Sequence, residues 1–193
     1  MATLQAVEQS RSASISRQVV LVVGASLLMA VCGRLSMPLP FTPVFLTAAN
    51  FGVLFIALTL GSQRAAAAML LYLAEGAIGL PVFSPAGPGG MAQLLGPTGG
   101  YLMAYPVVAL VAGWIAERGQ RSALRFATAA IVGEVLLFAS GVSWLIAAWH
   151  APLAQATNWG IYPFVPAEII KVMSAVGASL RLHRSSRLAS LFQ

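Results

Sequence analysis

The chain of 193 residues draws 59% of them from the set AVILMFWYC and only 8% from the charged types, with a mean hydropathy of +0.84, whereas a soluble domain carries roughly a quarter of its residues as Asp, Glu, Lys or Arg. Such a chain cannot cover a water-facing surface, so a soluble globular enzyme is excluded, and its length holds about six or seven spans of roughly 20 residues with no second, soluble domain. The 11 basic residues against 5 acidic ones give a net charge of +6, but the arginines stand at the ends of apolar runs, where they read as orientation signals rather than nucleic-acid contacts.

Residues 1–17 are polar and lead straight into the first apolar run, so they read as a cytoplasmic N-terminal segment rather than a cleaved signal peptide. Six spans follow, at 18–33, 44–60, 65–80, 101–116, 124–149 and 162–182. They form one membrane domain over 18–182, with a cytoplasmic tail at 183–193. Several runs are shorter than a full crossing, which predicts that adjoining loops dip into the protein where other chain shields them from lipid. With the N-terminus inside, Arg11, Arg17, Arg64, Arg118, Arg121, Arg125, Arg181, Arg184 and Arg187 fall on the inner side and only Arg34 on the outer. That alternation is what the positive-inside rule requires of six spans with both termini cytoplasmic; a multi-pass plasma (inner) membrane protein is expected. The outward connections read SMPLPFTP, PVFSPAGPGGMAQLLGPTGG and HAPLAQATNWGIYP. Rich in Gly, Pro and aromatics and nearly free of charge, they predict ordered backbone lidding a cavity on the outer face.

Catalytic constellations lack parts. There is no Asp, His150 and His183 lie at opposite ends of the predicted topology, and Lys171 is followed by Val172 rather than by the Ser or Thr of a Walker loop. Metal, Ser-His-Asp, paired-carboxylate and ATP-hydrolysing schemes are therefore not expected. What remains are ionisable groups inside apolar spans, each a candidate functional site. Glu168 and Lys171 lie three apart on one helix face, either as a ligand-binding acceptor and donor or as a structural ion pair. Glu75 is a ligand acceptor, a proton site, or a buried neutral carboxyl. Glu134, two and a half turns from Arg125, reads as helix packing. Ser26 and Ala30 are small residues four apart on the first span, suited to close helix approach within the bundle or with a partner. Gly89 and Gly90 lie in a glycine-rich stretch without nearby basic residues and read as a turn around the cavity.

Three segments taken together resemble one family: MPLPFTPV at 37–44, GAIGLPVF followed by GG and GPTGGY at 76–101, and PFVPAEIIK at 163–171. They are similar to the signature regions of BioY, the biotin-specific substrate-binding (S) component of energy-coupling factor (ECF) transporters. The resemblance implies an all-α fold of six transmembrane helices with a lidded outer pocket. It implies a non-enzymatic subunit that binds biotin with high affinity and delivers it inward with a transmembrane coupling protein and two ATPases. ATP is then used by the partners, and this chain needs no cofactor of its own. It further implies that Glu168 and Lys171 meet the substrate, that Tyr101 lies against its ring system, and that Ser26 and Ala30 meet the coupling protein; with biotin as the ligand, Trp159 is a second aromatic expected to pack on the rings. Three departures stand out: relatives often carry Gln near Ala49 and a polar residue at the position of Pro88, and Glu168 after Ala167 replaces a frequent Gly-Asp. An S component for thiamine or riboflavin, and a stand-alone secondary transporter using Glu75 as its proton site, are the competing readings.

Overall fold

Six long helices and two short ones carry most of the chain in the computed structural model, which describes the backbone of residues 2–191 and the side chains of residues 15–185. Arg11 and Arg187 lie outside the described side chains. The long helices are α1 (Ala2–Arg34), α2 (Ala49–Leu60), α3 (Ser62–Ala77), α5 (Gly99–Glu117), α6 (Ala123–Ala147) and α8 (Val165–Leu191); α4 (Gly90–Leu94) and α7 (Leu153–Gly160) sit in connections. The first connection also pairs β1 (Ser36–Met37) antiparallel with β2 (Leu46–Thr47), Ser36 opposite Thr47 and Met37 opposite Leu46.

The helices match the expected spans, with shifts that have local causes. The run from residue 44 becomes helical only at Ala49, because its first residues are taken by β2 and the turn after it. The run 65–80 starts earlier, at Ser62, and stops at Ala77, where Gly79 adopts φ +96°. At the start of α3, Glu117 accepts hydrogen bonds from the Ser62 amide at 3.0 Å and the Ser62 hydroxyl at 2.7 Å, closing off donors the helix leaves unmade. Helix α6 is capped by Ser122, whose hydroxyl accepts from the Arg125 amide at 3.3 Å.

Length and apolarity alone qualify three helical stretches as spans: Ile15–Arg34, Gly99–Glu117 and Ala123–Ala147. A fourth forms if α7 and α8, bent by 49° at their junction, count together. Helix α2, with 12 residues, rises about 18 Å, well short of a hydrocarbon core of about 30 Å. The β1–β2 hairpin and the turns around it extend the chain at that end, the shielded non-helical backbone expected for the short runs.

Helix α5 packs on α3 and α6, α2 on α5 and α8, and α1 on α3 and α2. Small residues set the spacing: Ala65, Ala68, Ala109, Ala112, Ala129 and Ala130 are all fully buried. A side chain at Gly113 would strike the Ser62 backbone, and one at Gly133 would press on Leu54 and Val108. Opposite this core, Val20, Leu27, Leu70, Val107, Ile131, Val135 and Met173 stand exposed. An apolar surface of that extent is suited to lipid.

The connections 35–48, 78–98 and 148–164 are tied to one another and to the helix ends. Arg34, the one arginine expected outside, donates to the Pro81 carbonyl at 2.7 Å. Ser36 and Ser84 share a hydroxyl hydrogen bond of 2.6 Å, and Trp144 Nε1 donates to the Gly96 carbonyl at 2.9 Å.

Candidate functional site

The site is built around the first turns of α8. Phe164 is buried just before the helix, and its carbonyl accepts the Glu168 amide at 2.9 Å. Pro166 fits the opening turn, where an amide proton would have no intrahelical partner. Glu168 then lies in the first turn, the favourable end of the helix dipole for a carboxylate. Lys171 follows three residues on, and its Nζ donates to Glu168 Oε1 at 2.7 Å, with the two side chains only 15% and 6% exposed.

This pair borders a narrow, partly open cavity of about 40 Å³. Its walls are Val44 and Phe45 from the first connection, Phe138 from α6 and Phe164. Tyr101 and Tyr105, four apart and therefore on one face of α5, add two aromatic rings. Thr47, Asn50 and Thr98 place further polar groups at its edge. Tyr101 is held firmly: its hydroxyl donates to the Gly160 carbonyl at 2.8 Å, and its ring packs edge-on to Phe138 at 6.5 Å. Tyr105 is also buried.

Of the residues singled out in the sequence, Lys171, Glu168 and Tyr101 are thus brought together at one cavity. The others lie elsewhere. Glu75 accepts a hydrogen bond of 2.5 Å from the fully buried Ser26, so these two join α3 to α1 away from the cavity lining. Ala30 packs half-buried against the core. Gly89 and Gly90 turn the chain into α4 with φ of +72° and +58°, and the Gly89 amide donates to Gln93 Oε1 at 3.2 Å. Trp159 is half-buried, and its carbonyl accepts from Thr42.

Glu134 is buried on α6, and neither of its carboxyl oxygens has a hydrogen-bond partner. Tyr105 was findable from its four-residue step to Tyr101. Among the described residues no group of three His, Cys, Asp or Glu side chains comes together as a metal site.

An apolar cavity with a few placed polar groups, enclosed in a lipid-facing helical bundle, defines a membrane-embedded small-molecule binding protein. Residues 4–188 match the BioY family, and the chain belongs to that family. It is 37% identical over 145 residues to the biotin transporter BioY of Rhizobium etli, covering 71% of this chain and 76% of that one. It is 34% identical over 163 residues to the biotin transporter BioY2 of Lactococcus lactis subsp. cremoris, covering 84% of this chain and 87% of that one. Its fold is similar to the crystal structure of the S-component for biotin from an ECF-type ABC transporter, with a TM-score of 0.81 at 24% identity, over 89% of this chain and 93% of that one.

Proposed function

We propose that this chain is the biotin-binding subunit of an ATP-driven ECF-type uptake transporter, taking biotin from the outer side and passing it inward with a coupling protein and separate ATPases. The observation that carries this reading is the Glu168–Lys171 pair at the wall of an aromatic cavity; family membership and the relatives' activity support it. Biotin has an apolar ring and arm, a ureido group with two N–H donors and one acceptor, and a carboxylate. Lys171 donates to the carboxylate or the ureido carbonyl, and Glu168 accepts a ureido N–H or orients Lys171. Tyr101 and Tyr105 pack against the ring system. Trp159, Gly89 and Gly90 act through the connections that close over the cavity, and Glu75 through the packing of α1 on α3.

Both termini are cytoplasmic in this reading, which puts the cavity mouth outside. The coupling protein meets α1, where Ser26 and Ala30 let α1 seat closely on the bundle while Val20, Gly24, Leu27 and Val31 are exposed on its other side. The decisive experiment is equilibrium binding of radiolabelled biotin to the purified protein with thiamine and riboflavin as competitors. Saturable binding displaced by unlabelled biotin alone is the expected result. Displacement by either other vitamin, or no saturable biotin binding, would overturn the assignment.

A further inference from the structure

Three arginines from two separate segments meet far along α8 from the Glu168–Lys171 pair. Arg121 lies in the connection between α5 and α6, and Arg181 and Arg184 lie on α8, beginning about 15 Å along that helix beyond Lys171. The end of α8 is seated on the start of α6, where the ring of His183 packs edge-on to Phe126 with centroids 5.6 Å apart. Leu180, His183 and Arg184 share one face of α8 by their three- and four-residue steps. With Arg181, Arg121 and Ser122 they line a partly open cavity of about 360 Å³, within the range of about 300–1,000 Å³ that small-molecule pockets span.

No acid lines this cavity. Among the described residues the carboxyl groups are engaged or buried elsewhere: Glu117 accepts from Ser62, Glu75 from Ser26 and Glu168 from Lys171, and Glu134 is buried on α6. Arg121, Arg181 and Arg184 have no carboxylate or carbonyl partner among those residues, whereas the guanidinium of Arg118 lies over the Trp114 ring at 3.5 Å. Like charges gathered around one hollow repel, and the opening turn of α6 adds positive potential of its own. Membrane orientation accounts for arginine at this end of the bundle. It does not account for three of them around one cavity with no acid between them.

We propose that this cavity is an anion site that takes a phosphate group, that of an anionic phospholipid headgroup or of free phosphate, between Arg121 on one side and Arg181 and Arg184 on the other.

The planar fork of a guanidinium matches two phosphate oxygens, and several such forks around one phosphate offset the charge that repels them from each other. Leu124 and Leu182, neighbours in sequence of the lining residues, are exposed and offer apolar surface to an acyl chain. With both termini cytoplasmic, the cavity opens at the inner leaflet, where basic pockets between helices bind anionic headgroups. The inference rests on the proposed topology for that leaflet but not for the phosphate, and biotin plays no part in its test.

The full chain, delipidated in detergent, is titrated with radiolabelled phosphatidylglycerol in mixed micelles and, separately, with radiolabelled inorganic phosphate. Saturable binding of about one lipid per chain is expected, weakening as salt is raised. Unlabelled phosphatidylglycerol should displace it and phosphatidylcholine should not, because the arginines repel the choline ammonium. Saturable binding of inorganic phosphate without lipid binding would assign the same site to free phosphate. Arg121→Gln, Arg181→Gln and Arg184→Gln should each weaken the probe that binds by about fivefold, the worth of one basic residue beside an anionic headgroup. Arg118→Gln removes the same charge from a side chain outside the cavity and should change binding by no more than about twofold. An equal loss in Arg118→Gln, equal displacement by phosphatidylcholine, or no saturable binding of either probe would overturn the proposal. Competition on the unaltered protein decides the matter even if a variant does not fold. Failure to bind biotin with phosphate binding intact would remove the proposed function and leave this site standing.

Discussion

The Thr42 hydroxyl donates a hydrogen bond of 2.7 Å to the carbonyl oxygen of Trp159, joining the connection after α1 to the one before α8 across 117 positions of sequence. The same hydroxyl accepts the Val44 amide at 3.1 Å, so Thr42 is fixed in place while it reaches across. Val44 and Phe45 form part of the cavity wall, which makes this bond a fastening between the lid and the element that leads into α8. Thr42→Val keeps the shape and deletes the donor. Dissociation of biotin should speed up by about fivefold to tenfold, the worth of one hydrogen bond of about 1 kcal/mol. Washout of radiolabelled ligand measures it, and an unchanged release rate would show that the fastening plays no part in retention.

Lys171→Ala removes the cation from the pair and leaves Glu168 without its donor at Oε1. Biotin affinity should drop by at least about tenfold, or about 1.4 kcal/mol. Calorimetric titration checks this, and undiminished affinity would exclude Lys171 as a ligand group.

Gly141 and Gly177 make a contrasting pair. A side chain at Gly141 would run into the ring of Tyr101, whereas none of the chain lies within 4 Å of one at Gly177. Gly141→Ala should cost about 1–3 kcal/mol of stability and weaken biotin binding, because the aromatic wall must shift. Gly177→Ala should do neither. Thermal unfolding in detergent, run beside a binding titration, separates them; equal behaviour of the two variants would contradict the packing described for Tyr101.

The bond between Ser26 and Glu75 ties two helices without touching the cavity. Ser26→Ala should lower the unfolding temperature, consistent with loss of a hydrogen bond to a carboxyl group worth about 1.5–3 kcal/mol. Biotin affinity should stay within about twofold, since no ligand contact is lost. The companion variant Glu75→Gln sharpens the point: lost binding at unchanged stability would make Glu75 a ligand group after all.

Much of the architecture could be anticipated because lipid imposes such strict terms on composition. Apolar runs bounded by arginine and proline locate α1, α5 and α6 within a residue or two of one end, if α1 is taken over its apolar part. Glu168 and Lys171 could be picked out because both lie on one helical turn and both are costly to bury. Glu134 was visible as an acid in an apolar span, but that its carboxyl is buried without a hydrogen-bond partner depends on tertiary packing, which no local spacing reveals. Thr47 and Asn50 were passed over for a different reason. The run from residue 44 reads as continuous helix, and a two-residue strand pairing with Ser36–Met37 leaves no periodicity to detect.

Arg34 has a consequence beyond its bond to Pro81. It stands beside connections that carry no charge of their own, for residues 35–48, 78–98 and 148–164 contain no Asp, Glu, Lys or Arg. A mouth so nearly neutral exerts little long-range pull on an anionic solute, and salt has little field there to screen. Capture of a carboxylate-bearing vitamin should therefore proceed at a rate almost independent of ionic strength, governed by how often the connections open rather than by attraction at a distance.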